Sequence, residues 1–151
     1  MQNKVFITKA TQADDRKLFD LSVACNPLVI FDPKTYWIAC NYYQEYTYMI
    51  YINDQIAGYI LATANDDTVI IHQICVLPAF RHCGTAQILL DTIVRIAKEK
   101  KKAVHIIYNP TNTAIAGVVN KFCETNGYEV KEVKMYDYNR FNFQVYHIMW
   151  L

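Results

Sequence analysis

The sequence predicts an α/β fold on a mixed α+β sheet, with about seven strands and four helices in one domain spanning residues 1–151. Three observations lead there. Segments of strand period and helix period follow in the order strand, two helices, three strands, helix, strand, helix, two strands. Hydrophobic residues make up 53% of the chain and charged ones 19%, enough for one sizeable core. No repeat, low-complexity tract or linker interrupts the series.

Lys4 to Thr8 reads as the first strand. Thr11 and Asp14, three apart, give a capping-box-like start to a helix reaching about Ala24. Its periodicity buries Leu18, Leu21 and Val23, and Pro27 ends it. Asp32-Pro33 starts a second helix, with aspartate as N-cap and proline at the first helical position. That helix carries Tyr36, Trp37, Ala39, Cys40 and Tyr43. Thr47–Ile52 and Ile56–Thr63 flank Asn53-Asp54-Gln55, a hairpin turn. Asn65-Asp66-Asp67 turns the chain again, into a strand over Thr68–Val76. From Gly84 to about Glu99, Leu89, Ile93, Ile96 and Ala97 recur at helical spacing, with Gln87, Asp91, Arg95 and Lys98 on the other face. Lys100, Lys101 and Lys102 read as a solvated helix end that suits the dipole. Ala103–Tyr108 is a buried strand, and Asn112–Thr125 a helix stopped by Asn126-Gly127. Tyr128–Met135 and Phe141–Trp150 close the chain as strands.

Fifteen basic residues against fourteen acidic ones leave a net charge of +1. That balance gives no reason to expect nucleic acid or an anionic membrane as partner. The five cysteines form no CxxC pair, which argues for free thiols in a reducing compartment and against a metal site. The N-terminus has no apolar signal core, and no apolar run reaches membrane-spanning length. These features predict a cytoplasmic protein.

The junction between strand and helix at 76–86 holds the first functional signal. A helix N-terminus has unpaired N–H groups and partial positive charge, and so suits phosphate. A backbone that wraps a pyrophosphate needs small residues, here Gly84 and Ala86, with Arg81 and His82 as nearby donors. Spacing alone equally allows an ordinary left-handed turn.

The run Val76-Leu77-Pro78-Ala79-Phe80-Arg81-His82-Cys83-Gly84-Thr85-Ala86 resembles the acetyl-CoA-binding motif of the GNAT N-acetyltransferase superfamily, V-x-P-x-x-R continuing into Q/R-x-x-G-x-G/A. Arg81, Gly84 and Ala86 fall on its defining positions. The opening FITKATQADDRKL is similar to the family's I-R-x-A-T-x-x-D, and KFCETNGYEV to its L-Y-x-x-x-G-F. The element order fits that fold along essentially the whole chain. The resemblance implies acetyl-CoA as co-substrate, with no metal. It implies that the backbone of His82, Cys83, Gly84, Thr85 and Ala86 holds the pyrophosphate. The strand ending at Val76 is expected to splay from the parallel strand at 103–108, leaving backbone groups around Cys75 and Val76 open to the pantetheine arm. In this family a backbone N–H of that strand usually polarises the acetyl carbonyl.

Acyl transfer to an amine needs a neutral amine, hence a base. His72 lies in the strand four residues before Val76, and alternation puts His72, Ile74 and Val76 on one face. Serotonin N-acetyltransferases, in the same superfamily, carry a histidine at the matching place. His72 therefore reads as the general base, or as a core histidine satisfied by the backbone. The family's acid is the tyrosine of L-Y-x-x-x-G-F, and Cys123 stands there instead. Cys123 reads as a thiol donor or a small buried helix residue, Tyr108 as an alternative phenol, and Tyr128 as packing. Asn112 lies about a turn before the family's usual asparagine, as cofactor contact or N-cap.

The stretch NPLVIFDPKTYWIACNYYQEYTYMIYIND is dense in aromatics and holds Asp32 and Glu45, which can hold a cation or form a core. It faintly resembles the diaminobutyrate acetyltransferase branch: Asp32, Thr35, Tyr36 and Gln73 match in kind, while His72 replaces a tryptophan. That resemblance implies substrate contacts at Asp32, Tyr36 and Gln73, although alternation alone makes Gln73 structural. The acceptor is then a small molecule with a primary amine, an amino acid or a diamine. The alternatives are protein or peptide acetylation and, given Cys123, a catalytically idle acyl-CoA-binding module. The apolar C-terminal segment FNFQVYHIMWL reads either as a sheet edge that pairs in a homodimer or as the last core strand.

Overall fold

The computed structural model describes residues 2–25, 30–139 and 142–150. The strands are β1 (Val5–Lys9), β2 (Tyr48–Ile52), β3 (Gln55–Ala64), β4 (Thr68–Val76), β5 (Ala103–Tyr108), β6 (Glu129–Tyr136) and β7 (Phe143–Met149). The α-helices are α1 (Asp15–Ala24), α2 (Pro33–Tyr42), α3 (Thr85–Glu99) and α4 (Thr113–Asn126). All the strands join one sheet in the order β1-β2-β3-β4-β5-β7-β6. Every neighbouring pair is antiparallel except β4 and β5. The mixed α/β architecture is the one the sequence predicts. Among the described residues, no helix is long and apolar enough to cross a membrane.

Local chemistry explains the boundaries. Asp14 accepts hydrogen bonds from the Thr11 amide at 2.8 Å and hydroxyl at 2.9 Å, ahead of α1. Asp32 accepts from the Lys34 amide at 2.9 Å, with Pro33 in the first turn of α2. Asn53 and Asp54 sit at φ 51° and 66°, as a two-residue hairpin turn demands. Gly127, at φ 71°, ends α4.

Each face of the sheet has its own core. Ile50, Ile60, Ala62, Val69, Ile71 and Val104 pack against α3 and α4. Met49, Tyr59, Leu61 and Cys75 pack with Leu18, Tyr36, Ala39 and Cys40 of α1 and α2.

Some expectations fail. Val23 is 53% exposed, because α1 turns Leu18 and Ser22 inward. The lysine cluster does end in solvent, with Lys100 and Lys101 exposed, while Lys100 pairs with Glu45 and Lys102 donates to the carbonyls of Asn65 and Asp66. β7 lies between β5 and β6, inside the sheet, so it is not a free edge for pairing between chains. Pro27, Phe141 and Leu151, which figure in the expected helix end and final strand, lie outside the described residues.

The feature that positions the site is the separation of β4 from β5. Their parallel ladder runs only from Thr68–Ala103 to Ile71–Ile106, although β4 continues to Val76. On the β3 side, Ala62 pairs with Ile71 and Leu61 with Gln73, leaving His72 as an extra, bulged residue. The bulge reverses the alternation. Val69 and Ile71 face α3 and α4, Cys75 faces α1 and α2, and Ile74 and Val76 return to the α3/α4 core. His72 turns to Thr63, on the Tyr59–Leu61 face, so His72 and Ile74 do not share a face as simple alternation predicts.

Gly58 supports the far end of β4, where it pairs with Val76. A Cβ there would run into the backbone carbonyl of Cys75. Gly58→Ala should therefore lower stability by roughly 1–3 kcal/mol, read as an earlier urea midpoint with an unchanged slope. An unchanged midpoint would show that the strands yield at this contact.

Candidate active site

The turn after β4 is built to present a helix end. Pro78–Phe80 form one 3-10 turn, and His82 takes φ 64°, a left-handed conformation unusual for a residue with a side chain. Gly84, at φ 83°, is the N-cap of α3, and among the described residues no side chain caps that helix. Thr85, 2% exposed, donates to the Phe80 carbonyl at 2.9 Å, and Cys83 donates to it at 2.8 Å. The turn is pinned from within while the first amides of a fifteen-residue helix remain uncapped.

Those amides open on a cavity of about 620 Å³, between the end of β4, the turn at 81–87 and α4. The residues present fit an elongated anion with an acyl arm. Gly84 and Ala86 let the backbone approach it, and the helix end supplies donors and positive potential. The α4 wall is Ala114, Gly117, Val118 and Lys121, one helical stripe that is small at its centre and basic at its end.

Two details of this wall correct the sequence reading. The Arg81 side chain folds back: Nε donates to the Val76 carbonyl at 2.9 Å, and Nη2 lies 3.7 Å from Cys25 Sγ. The Val76 carbonyl, expected to be open, accepts from Arg81 and from the Cys25 thiol at 3.2 Å. Cys75 points its side chain to the other face, toward the Leu21 carbonyl.

A second cavity, of about 560 Å³, lies across the splay. Ile74, Asn112 and Ile115 line both, so the two spaces meet where β4 and β5 part. Asn112 is the N-cap of α4, accepting from the Ile115 amide at 3.2 Å. His72 and Tyr108 come together in the second cavity, with Gln73, Phe31, Asn109 and Phe143 in its walls. His72 Nε2 lies 2.7 Å from Thr63 Oγ1, and burial holds the imidazole below its ordinary pKa. It is therefore neutral at pH 7, the state a base needs. Tyr108 stacks on Tyr146 at 5.0 Å, and its phenol is pushed up to about 12, by burial first and then by Tyr146. It stays a proton donor at neutral pH.

The other expected site residues are placed elsewhere. Cys123 lines neither cavity; it is buried in the α3/α4 core, and burial raises its pKa. Tyr128 packs between Phe122 and Trp150, as expected for packing. Asp32 is exposed, its carboxylate turned to its own helix, and Glu45 is paired with Lys100. Tyr36 is wholly buried and lines neither cavity. Its hydroxyl donates to Gln73 Oε1 at 3.3 Å and accepts from the Phe31 amide at 3.3 Å. Tyr59 donates to the same Gln73 oxygen. Gln73 thus touches the cavity while anchoring the layer behind it. Sequence reasoning missed Cys25 and Lys121, whose places depend on contacts distant in the chain.

Comparison with known proteins agrees with this fold. The model of the acetyltransferase (GNAT) family matches residues 16–123. A solved structure of diaminobutyrate acetyltransferase from Paenibacillus lautus, with its substrate and coenzyme A, superposes with a TM-score of 0.85 at 16% identity, over 97% of this chain and 95% of that one. Naa50 of Arabidopsis thaliana, bound to a bisubstrate analogue, superposes with a TM-score of 0.77 at 19% identity, over 97% and 99%. YncA of Salmonella typhimurium, described as a putative acetyltransferase and bound to acetyl-CoA, gives 0.68 at 16% identity, over 96% and 92%. No curated protein matches in sequence.

The state of His72 can be read directly. In an NMR titration its imidazole should show a midpoint below 6.5. Its folded value lies below its unfolded one, so it lowers stability as pH falls below 6.5, until the folded imidazole also protonates. The slope contributed is at most about 1.4 kcal/mol per pH unit, and His72→Gln should remove it. A midpoint at or above 6.5 would contradict the burial seen here.

Proposed function

The chain belongs to the GNAT acetyltransferase family, and from that premise we propose that it moves the acetyl group of acetyl-CoA to the primary amine of a small molecule, by direct attack in a ternary complex. The observation that carries this reading is the meeting of the two cavities at Ile74, Asn112 and Ile115. One space suits an elongated anion, the other holds a neutral imidazole, and the gap between β4 and β5 joins them. The proposal covers residues 1–151 as one acetyltransferase domain. A cytoplasmic place fits its five free cysteines.

In this mechanism the amides from His82 to Ala86 hold the pyrophosphate, and Lys121 adds a cation at the same cavity. On its β5 side, β4 has no partner strand beyond Ile71 among the described residues, and its backbone groups there orient the acyl arm. Acetyl-CoA supplies the activated acyl group. His72 accepts the proton of the incoming ammonium, directly or through a water, and Thr63 orients the ring. In this reading Tyr108, which lines the second cavity, protonates the departing thiolate, the role the family's motif gives to the position of Cys123.

A second reading, acetylation of a peptide N-terminus, is supported by the likeness to Naa50 bound to a peptide bisubstrate analogue. The amine decides between them. A diaminobutyrate-type amino acid draws support from the likeness to the Paenibacillus enzyme, whereas the exposed Asp32 and buried Tyr36 do not support it.

Acetyl-CoA at a hundredfold excess over its dissociation constant should stabilise the protein by about 2.7 kcal/mol, a rise of several degrees in Tm. No shift at saturating concentration would remove the acetyl-CoA reading. In a thiol-release assay across small amines and short peptides, His72→Ala should lower the rate at limiting amine by about a hundredfold or more. An unchanged pH–rate profile in that variant would exclude His72 as the base.

A further inference from the structure

Among the described residues, no aspartate, glutamate, lysine or arginine lines the second cavity, of about 560 Å³. Its imidazole, His72, is neutral at pH 7. None of the residues outside the described ones is acidic. The two carboxylates that the sequence offered for a cation are engaged elsewhere, Asp32 as the cap of α2 and Glu45 with Lys100.

The neutral oxygens of the lining are engaged as well. Gln73 Oε1 accepts from the Tyr36 and Tyr59 hydroxyls. Asn109 Oδ1 accepts from the Thr111 amide at 2.9 Å and from its hydroxyl at 2.7 Å. Asn112 Oδ1 accepts from the Ile115 amide. A fourth amide, Asn142, is exposed. His72 and Tyr108 are the remaining polar side chains, and the proposed mechanism uses both. The other walls are apolar, with Phe31, Ile74, Ile107, Ile115 and Phe143 among them. Phe143 stacks on Tyr136 at 4.7 Å between centroids and 16° between planes, and Tyr138 lies 6.3 Å away at 20°. Such a stack holds the ring in place before any ligand arrives, so little side-chain freedom is lost on binding.

We propose that this cavity selects a primary amine whose only charged group is the one that reacts, carried on an uncharged apolar or aromatic body, and that Phe143 is the wall that reads this body. That the cavity receives the acceptor rests on the acetyl transfer proposed above.

Desolvation makes the selection. An ammonium taken from water into a space without a counter-charge or an open acceptor is strongly disfavoured. The reacting amine escapes that penalty by giving its proton to His72. A second ammonium has no such exit, and neither has a carboxylate. An apolar body gains by leaving water for the isoleucine and phenylalanine walls.

Matched amines test this on the full chain. Pentylamine and cadaverine differ by one terminal ammonium, and phenethylamine and phenylalanine by one carboxylate. In thiol release at saturating acetyl-CoA, kcat/KM should favour the first of each pair by about tenfold or more. Phe143→Ala should cut the preference for phenethylamine over ethylamine by about tenfold, a ratio that a loss of folded protein does not move. Asn109→Asp sets a carboxylate in the lining that still accepts from Thr111, and it should narrow the gap between pentylamine and cadaverine. Turnover of cadaverine or phenylalanine equal to or better than that of its partner would overturn the proposal, as would an unchanged ratio in Phe143→Ala. If acetyl-CoA raises the Tm but no amine releases thiol, the transfer reading fails. Titration of the coenzyme A complex with the same pairs, followed by NMR at the His72 imidazole, then decides the selectivity. If acetyl-CoA leaves the Tm unchanged, the acetyl-CoA reading fails, and the same titration of the free protein decides it. There, tighter binding of pentylamine than of cadaverine supports the proposal, and equal or weaker binding overturns it.

Discussion

Two strands that run parallel and then part leave the edge of β4 without a ladder, and much of the molecule is arranged around that gap. A buried backbone polar group without a partner costs about 1–3 kcal/mol, so a splayed strand must find substitutes. Here the Val76 carbonyl is satisfied by Arg81 and Cys25, and the Leu77 amide turns to Ala57 on β3. Farther up the strand, the open edge faces the space that both cavities share. The gap is held open by structure on each side. The bulge at His72 starts it, Asn112 and Ile115 of α4 stand in its mouth, and the absence of a side chain at Gly58 lets β3 approach the strand's far end.

The electrostatics of the site are modest and local. With a net charge of +1, the chain has no strong global field to draw an anionic ligand. The positive potential comes instead from the uncapped end of α3 and from Lys121 at the cavity rim. Arg81, the most evident cation of the motif, braces the wall. This division suits a long ligand with one charged end: backbone dipoles fixed by the fold lie at one part of the cavity, and aliphatic side chains such as Ile74 and Val76 at another.

Features fixed by local chemistry were legible in the sequence. The Thr11–Asp14 box, the Asp32-Pro33 start, the Asn53-Asp54 turn and the glycines at 84 and 127 each state a backbone conformation within a few residues, and the elements they bound follow. The motif at 76–86 was legible for the same reason. What escaped was decided by tertiary contact. The bulge at His72 reverses the side-chain phase without any glycine or proline to announce it. Cys25 meets Val76 across 51 residues of chain, and Arg81 folds back because a buried carbonyl needs a donor there. Asp32 and Tyr36 were drawn toward a substrate by resemblance, whereas their geometry follows from a cap and from a buried hydrogen bond to Gln73.

The two cores, one on each face of the sheet, have a bearing on how such a protein diversifies. Tyr36, Tyr59 and Leu18 belong to one cluster, and Leu89, Ile93 and Phe122 to the other, with the backbone of the sheet between them. Energetic coupling between substitutions fades when they share no neighbours. The α1/α2 layer can therefore drift, reshaping one side of the molecule, while α3, whose first residues line the 620 Å³ cavity, keeps its packing. Gln73 is the exception, because it touches the 560 Å³ cavity and holds two tyrosines of the layer behind. Inheritance of a new specificity would have to pass through that position, or be arranged around it.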